Sequence, residues 1–486
     1  ADAAARQLRR YTAVGAATGA RAASEAVRHA TCRFTLRQDA RFHDGQPVTA
    51  ADVVFTLREL QRRRTACAGE AGDLLPFHRV EASGPYTVTV HLAAPPRASF
   101  LHGLRQAVLP AHLLGPYLHT DPEAGDQLFA RRPVASGRYR FDAWLGGDQV
   151  RLVAAEGHWR GPARMDTLVI AAGYADADAL WADLVRGKLD VVDYGWCDDC
   201  GGDDSAQSVR ALRAVAPGYV EVAFNSIPGR PLSDVRLRQA LSLAVDRRAI
   251  WHRLGGTDEV ADSLAFGPGS FVMGAAHPHA SAIAAPPDRP AAAALLDAAG
   301  WRSDGPGALR RKGDRPLELL LLLPAGLPRL AEVGALLRTD LEAIGVRLAV
   351  RSCPASALVS RDSLRGWDYD LLLLGRTFTW DPDRAVGPFH SAGQTNFGWY
   401  ADAETDALIE HARQSFDASE RATICRRLQH RLAMAVPSLF VCRWPVVFGF
   451  RKGLEGAEGA QRVGLFRSLP DWHWDRVPTT HRGGGP

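Results

Sequence analysis

The stretch FTLRQDARFHDGQPVTAADVVFTL, residues 34–57, places polar residues between two apolar segments. Asp44 is followed by glycine, a pair typical of tight turns. Thr49 lies three residues before Asp52, which is the spacing of a helix N-cap and its partner in the first turn. Apolar residues at helical spacing follow. The stretch therefore predicts a strand, a turn and a capped helix, in which both aspartates have structural roles.

Histidines do not indicate a metal site in this sequence. We interpret His43 as a hydrogen-bonding residue of the scaffold, because its neighbours are already occupied by the turn and the cap. His277, His279 and His390 lie in predicted loops with no evident carboxylate partner, so we expect them to be solvated.

Length and composition indicate several lobes. A chain of 486 residues that is 46% hydrophobic exceeds the size, about 250–300 residues, at which a single core stops growing. The net charge of +4 is mild, and no run of like charges indicates a nucleic-acid partner. No apolar run reaches the length of about 18 residues that a membrane span needs. The start, ADAAARQLRR, has no apolar signal core and no initiating methionine, so we expect a processed chain or a fragment in which the signal peptide is absent.

Strand and helix patterns alternate along the chain, as in α/β proteins. One strand–helix–strand unit is predicted between residues 150 and 195, and a second between residues 317 and 375. Asp234, Asp246, Asp402 and Asp417 each stand where a helix N-cap is expected. Because there is no long low-complexity linker, we expect the lobes to share crossing strands.

Catalytic motifs are absent from the sequence. The pair Gly187-Lys188 is followed by leucine, so it is not a phosphate-binding loop. There is no HExxH, GxSxG or GxGxxG motif. We therefore predict no catalytic residue, no metal site and no cofactor.

The segment WCDDC, residues 196–200, has the spacing of a metal clip or a redox pair. A zinc site needs two further ligands, and the two intervening aspartates raise thiol pKa values, which disfavours redox catalysis. We favour a disulfide between Cys197 and Cys200, or two structural thiols, over a metal contact.

Several collinear segments resemble the large extracellular solute-binding proteins of family 5, which serve dipeptide, oligopeptide and nickel ABC importers. The resemblance covers about residues 8–456. It rests on the stretch already quoted and on the segments PVASGRYRFDAW, AAEGHWRGPARMDTLVI, VAFNSIPGRPLSDVRLRQALSLAVDRRAI, LRTDLEAIGVRLAVR and WDPDRAVGPFHS.

The resemblance implies an α/β, two-lobe periplasmic-binding-protein fold of the large peptide-binding type, with a hinge cleft and an extra subdomain in lobe I. We expect the following boundaries: a truncated N-terminal part of lobe I at 1–30, the lobe I subdomain at 31–146, lobe I at 147–225, lobe II at 226–445, and a C-terminal return to lobe I at 446–486.

Two positions depart from the family pattern. Peptide-binding members place an aspartate, which pairs with the peptide α-amino group, a few residues before a turn that aligns with Trp380 and Asp381. Phe378 stands there in this chain. Losing one partner of a desolvated charge pair costs about 2–5 kcal/mol, so capture of a free amino terminus in the usual way is not expected. Arg138 replaces a common proline, from which we expect only a local loop change.

The resemblance also implies which residues contact the solute. Near the turn, Arg376 and Trp380 suggest a contact for an anionic group and a stacking surface, with a structural arginine as the alternative. The full set of expected ligand contacts is Trp196, Asn225, Arg376, Phe378, Trp380, Asp381, Arg443 and Trp444.

We therefore expect a monomeric protein that binds a peptide-like or other small polar solute. Its expected partners are ABC permease and ATPase subunits, it contacts the membrane only through the permease or a lost lipid anchor, and its location is periplasmic or extracellular. Two alternatives remain. One is the sensor domain of a transcriptional regulator, which the short segment before the resemblance disfavours. The other is a metal- or thiol-dependent enzyme using Cys197 and Cys200.

Overall fold

The computed structural model describes most of the chain. The described residues are 31–64, 77–92, 107–118, 120–146, 148–172, 174, 177–195, 208–254, 286–305, 307–358, 362–377, 386–415, 417–456, 469 and 472–475. They divide into two compact units, one within Ala1–Phe141 and Gly157–Gly161, the other within Asp142–Glu156 and Pro162–Pro486. The lobe boundaries expected from the sequence differ from this division and stay a prediction.

The first unit contains a small antiparallel sheet covered by a helix. Its strands are β1 (Thr31–Thr35), β2 (Phe77–Gly84) and β3 (Thr87–Leu92), in the order β1-β3-β2. Its helices are α1 (Ala50–Arg64), α2 (Ala111–Leu118) and α3 (Pro122–Arg131). Leu57 of α1 packs with Val88 and Val90 of β3 in one buried cluster. The strand, turn and helix predicted around residues 34–57 are confirmed.

The second unit begins with the strands β4 (Tyr139–Leu145, which starts in the first unit), β5 (Gln149–Ala154) and β6 (Thr167–Ala171), followed by α4 (Ala177–Val185), β7 (Val191–Gly195) and β8 (Val209–Phe224). It continues with α5 (Val235–Ala244), α6 (Arg247–Arg253), α7 (Arg289–Ala298), β9 (Arg311–Lys312), β10 (Arg315–Pro316), β11 (Glu318–Pro324), α8 (Pro328–Glu342), β12 (Arg347–Cys353) and β13 (Leu371–Thr377). It ends with α9 (Ala403–Gln414), α10 (Ala418–Ala435), β14 (Ser438–Arg451), β15 (Leu454–Glu455) and β16 (His473–Trp474).

A six-stranded sheet with the order β12-β11-β13-β8-β14-β7 organises this unit. Strand β11 pairs in parallel with β12 and β13. Strand β8 runs antiparallel to β13 and to β14. The two long strands extend past β13: the start of β8 pairs with the end of β14, which also pairs with β7. Strands β8 and β14 therefore connect the β12-β11-β13 side of the sheet to β7. That the two lobes share these strands stays a prediction.

Buried aliphatic side chains hold the helices against this sheet. Leu321 of β11 and Leu373 of β13 are fully buried in a cluster that includes Leu241 of α5 and Leu337 of α8. Burying each such side chain contributes about 1.5–3 kcal/mol relative to exposure. The continuous leucine runs of β11 and β13 thus fit strands that are covered on both faces.

Side-chain caps define where the helices begin. Asp234, Asp246, Asp402 and Asp417 each accept a hydrogen bond from a backbone N–H in the first turn of α5, α6, α9 and α10, respectively. All four predicted caps are confirmed. Within the described residues, no helix has both the length and the apolar character required to cross a membrane.

Candidate functional site

The strand order marks one edge of the six-stranded sheet as a candidate binding site. Strands β12 and β13 lie on opposite sides of β11 and run parallel to it. In open α/β sheets, ligands bind outside the carboxyl ends of the strands at the point where the strand order reverses. Here that point lies between the carboxyl ends of β11 and β13. Arg376 is the penultimate residue of β13.

Arg376 is held by partners within the protein. Its Nε donates to Glu221 Oε1 on the neighbouring strand β8, and Nη2 donates to the Thr395 carbonyl over 3.0 Å. Its guanidinium carbon lies 5.1 Å from the centre of the Phe397 ring. The side chains of Arg376 and Glu221 are only 11% and 0% exposed. The structure therefore places a buried ion pair at this edge.

Glu221 is only half satisfied by this ion pair. Its second oxygen, Oε2, is buried and has no hydrogen-bond partner among the described residues. The cross-strand partner of Glu221 in β14 is the apolar residue Phe440. Leaving a buried polar atom without a partner costs about 1–3 kcal/mol, and more when the group is charged. Glu221 thus presents an unused acceptor in an apolar setting.

The loop formed by residues 390–400 carries the Thr395 carbonyl that contacts Arg376. Asn396 is fully buried, and its Nδ2 donates to the carbonyls of His390 and Tyr400 at 3.0 and 2.7 Å, while its Oδ1 accepts from the Tyr400 N–H. Ser226 N donates to the Gly398 carbonyl, which ties the loop to the chain after β8. A Cβ at Gly398 would lie 2.8 Å from the Phe224 carbonyl oxygen, so only glycine fits. This network fixes the loop beside Arg376.

Trp399 in this loop adopts an unusual backbone conformation. Its φ of 53° lies in the left-handed region, which is rare for a bulky residue. Its Nε1 donates to the Tyr369 hydroxyl over 2.9 Å, and that hydroxyl donates to the Phe397 carbonyl over 2.6 Å. Burial raises the pKa of Tyr369 to about 12. Tyr369 therefore stays protonated and braces the loop at neutral pH.

Asn225, expected to contact the solute, has local partners on both sides of its amide. Nδ2 donates to the Tyr369 carbonyl over 2.9 Å, and Oδ1 accepts from Ile227 N over 3.3 Å. The residue is 2% exposed. The structure brings Asn225 to the end of β8 in a bracing role, and contact with a solute stays a prediction.

Of the other residues expected to contact the solute, the structure describes the backbone of two. Arg443 and Trp444 belong to β14, beside two register shifts opposite β8; their side chains lie outside the described part of the structure. Bulges of this kind are common next to functional sites. Trp196, Phe378, Trp380 and Asp381 lie outside the described residues, as do Cys197 and Cys200.

The polar residues of the opening stretch serve the scaffold. His43 Nε2 pairs with the Gly137 carbonyl over 2.9 Å, and its Nδ1 accepts from Ala135 N over 3.4 Å. Asp52 Oδ2 accepts from both the N–H and the hydroxyl of Thr49, and Oδ1 accepts from Ala111 N. Both interpretations made from the sequence are confirmed.

His390 corrects one sequence expectation. Its Nε2 lies 3.4 Å from a carboxylate oxygen of Glu410, and its Nδ1 lies 3.9 Å from Asp406. The side chain is 18% exposed, so it is not a solvated loop histidine. The expectation failed because the two carboxylates belong to α9, whose packing against this loop is not visible in local sequence. No group of three or more metal-binding side chains occurs within the described residues.

Sequence reasoning missed Glu221 and Thr395. The run YVEVAF, residues 219–224, carries one signal for Glu221, because an isolated carboxylate inside an apolar strand demands a partner. That signal does not identify the partner, which lies 155 positions away. Thr395 contributes a backbone carbonyl, for which no residue type is diagnostic.

Comparison with known proteins adds an independent result. The family described as bacterial extracellular solute-binding proteins, family 5 Middle, matches residues 21–397. The oligopeptide-binding protein AppA of Bacillus subtilis is 26% identical over 416 residues, which cover 84% of this chain and 74% of AppA. The peptide transport periplasmic protein SapA of Salmonella typhimurium is 25% identical over 460 residues, covering 84% of this chain and 75% of SapA.

A solved structure shares the fold. A putative peptide-binding protein AppA from Clostridium difficile superposes with a TM-score of 0.75 at 19% identity, covering 92% of this chain and 89% of that one. The predicted α/β, two-lobe fold class is confirmed by this similarity.

Proposed function

The chain belongs to the bacterial extracellular solute-binding proteins of family 5, and from this membership we propose that it captures a peptide-like or other small polar solute for an ABC importer. The AppA and SapA proteins are named for oligopeptide binding and peptide transport. A solute-binding component needs no catalytic machinery of its own, because the partner ATPase supplies the energy of transport. We infer that permease and ATPase subunits are its partners and that it acts outside the cytoplasmic membrane.

The observation that carries this proposal is the Arg376–Glu221 pair at the carboxyl ends of the parallel strands. Polar groups in a desolvated site bind a complementary solute more strongly than they would in water. Small-molecule sites are mostly apolar, with a few polar groups that fix orientation. The pair, the Thr395 carbonyl and the nearby Phe397 ring have this composition.

We propose that further contacts come from both crossing strands and from the segment that follows β13. The position of Arg376 supports this, because β13 leads directly into that segment. The residues proposed in addition to Arg376 and Glu221 are Trp196, Asn225, Phe378, Trp380, Asp381, Arg443 and Trp444.

Thermal unfolding with a solute panel tests the proposed function. A solute that binds only the folded state stabilises it by about 2.7 kcal/mol when its concentration is 100 times its dissociation constant. The panel contains random tripeptides, amino-acid conjugates, sugars and metal chelates. We expect at least one class to raise the melting temperature and to give a calorimetric binding heat. If no class did either, the proposed function would be wrong.

A further inference from the structure

The Arg376–Glu221 pair restricts the kind of solute group that fits beside it. The guanidinium and the carboxylate have opposite charges, so the pair as a whole is neutral. Glu221 Oε1 accepts from Arg376 Nε, whereas the buried Oε2 has no hydrogen-bond partner among the described residues. An ionised carboxylate oxygen only accepts hydrogen bonds. A solute group that forms a hydrogen bond with Oε2 of Glu221 must therefore be a hydrogen-bond donor.

Charge decides which kind of donor is favoured. An ammonium group at Oε2 would bring a second positive charge close to the guanidinium of Arg376. Both side chains of the pair are at least 89% buried, and two like charges close together in a desolvated site repel each other strongly. A neutral amide N–H supplies the hydrogen bond without this penalty.

An anionic group is disfavoured for a related reason. Arg376 already donates to Glu221 and to the Thr395 carbonyl. A solute carboxylate approaching this position would meet the negatively charged Oε2 of Glu221, which repels it. A further point concerns the ammonium group: the resemblance implies an aspartate for a peptide amino terminus at position 378, where this chain has the uncharged Phe378.

Building on the proposed function, we propose that Glu221 Oε2 accepts a hydrogen bond from a neutral amide N–H of a peptide-like solute. Arg376 and the loop of residues 390–400 are positioning elements, because they hold the Glu221 carboxylate in place. The protein consequently binds peptides with a blocked amino terminus at least as tightly as peptides with a free one.

The test compares a random tripeptide mixture with the same mixture after N-acetylation, using the full chain. Melting temperatures and calorimetric titrations are measured for the wild type with both mixtures. We expect the acetylated mixture to stabilise the protein as much as the free mixture, or more. A preference of about tenfold or more for the free mixture, the size of one hydrogen bond to a charged group, would overturn the inference and leave the proposed function standing.

Two variants then test whether Glu221 is the residue that binds the acetylated peptides. Glu221→Gln can turn its amide NH₂ toward the solute donor, so we expect binding of the acetylated mixture to weaken by about tenfold or more. Glu318→Gln is the matched control, because Glu318 forms an exposed ion pair with Arg347 on the same sheet; its binding should equal that of the wild type.

Unchanged binding by Glu221→Gln would also overturn the inference. If Glu221→Gln does not fold, the wild-type comparison decides alone. Binding of neither mixture would overturn both the inference and the peptide-like part of the proposed function.

Discussion

Two polar regions of this molecule look alike in composition and differ in how their hydrogen bonds are used. Around His43 and Asp52, both imidazole nitrogens and both carboxylate oxygens have protein partners. At the end of β13, the buried carboxylate of Glu221 uses only one oxygen. A satisfied polar cluster specifies a scaffold, whereas a half-satisfied one retains capacity for a ligand. Density of polar residues in the sequence is therefore a poor guide to the binding site.

The largest effect is expected from removing Arg376. Arg376→Met leaves the Glu221 carboxylate buried and unpaired, which typically costs about 3–5 kcal/mol. Urea unfolding followed by circular dichroism measures the loss. Arg347→Met is the control, since its ion pair with Glu318 is 60% and 47% exposed and such pairs contribute about 0–1 kcal/mol. Equal losses in the two variants would remove the distinction between the buried and exposed pairs.

A smaller loss of stability is expected in the polar region around His43 and Asp52, which we call the scaffold cluster. Asp52→Ala removes the first-turn carboxylate that accepts hydrogen bonds from Thr49 and from Ala111 N, so we expect a loss of about 2 kcal/mol, the upper end for the interactions at a helix N-terminus. Solute binding, measured at a temperature where the variant is folded, should be unchanged. A large loss of affinity without unfolding would show that the two regions are not functionally distinct.

The smallest effect is a pH dependence beside the scaffold cluster. Burial and the positive charges of Arg138, Arg160 and Arg37 lower the pKa of His158. The unfolded chain, whose histidine pKa is about 6.5, then binds a proton that the folded protein does not. Stability from this residue is present above that value and is lost as the pH falls through it toward the lower folded pKa.

Replacing His158 tests this pH dependence. His158→Gln should flatten the decline in unfolding free energy between about pH 7 and pH 5, near the histidine pKa range. Parallel urea titrations of wild type and variant across this range measure the difference. Identical slopes would contradict the proposed electrostatic environment.

Local patterns predicted much of the fold because their causes are local. The caps at Asp402 and Asp417 follow from a side chain and the backbone three residues later. The turn at Asp44 is equally local, since its Oδ1 accepts from the N–H of Gln46. The long leucine runs also identified buried strands without knowledge of their neighbours.

The site was less accessible to prediction because its contacts are distant in sequence. Arg376 was identified from resemblance, but its partner Glu221 is contributed by a different strand. The carboxylates beside His390 belong to a separate helix. Strand order decides these contacts, and the sequence pattern does not contain strand order explicitly.

A crystal structure with an N-acetylated peptide bound would show whether the solute uses the free oxygen of Glu221. We expect a solute amide nitrogen within about 3.2 Å of Glu221 Oε2, the upper limit for an N–H···O hydrogen bond. We also expect His43 and Asp52 to keep their protein partners and not to touch the solute. A solute bound away from the carboxyl ends of β11 and β13, with Glu221 Oε2 paired to a protein group, would contradict this expectation.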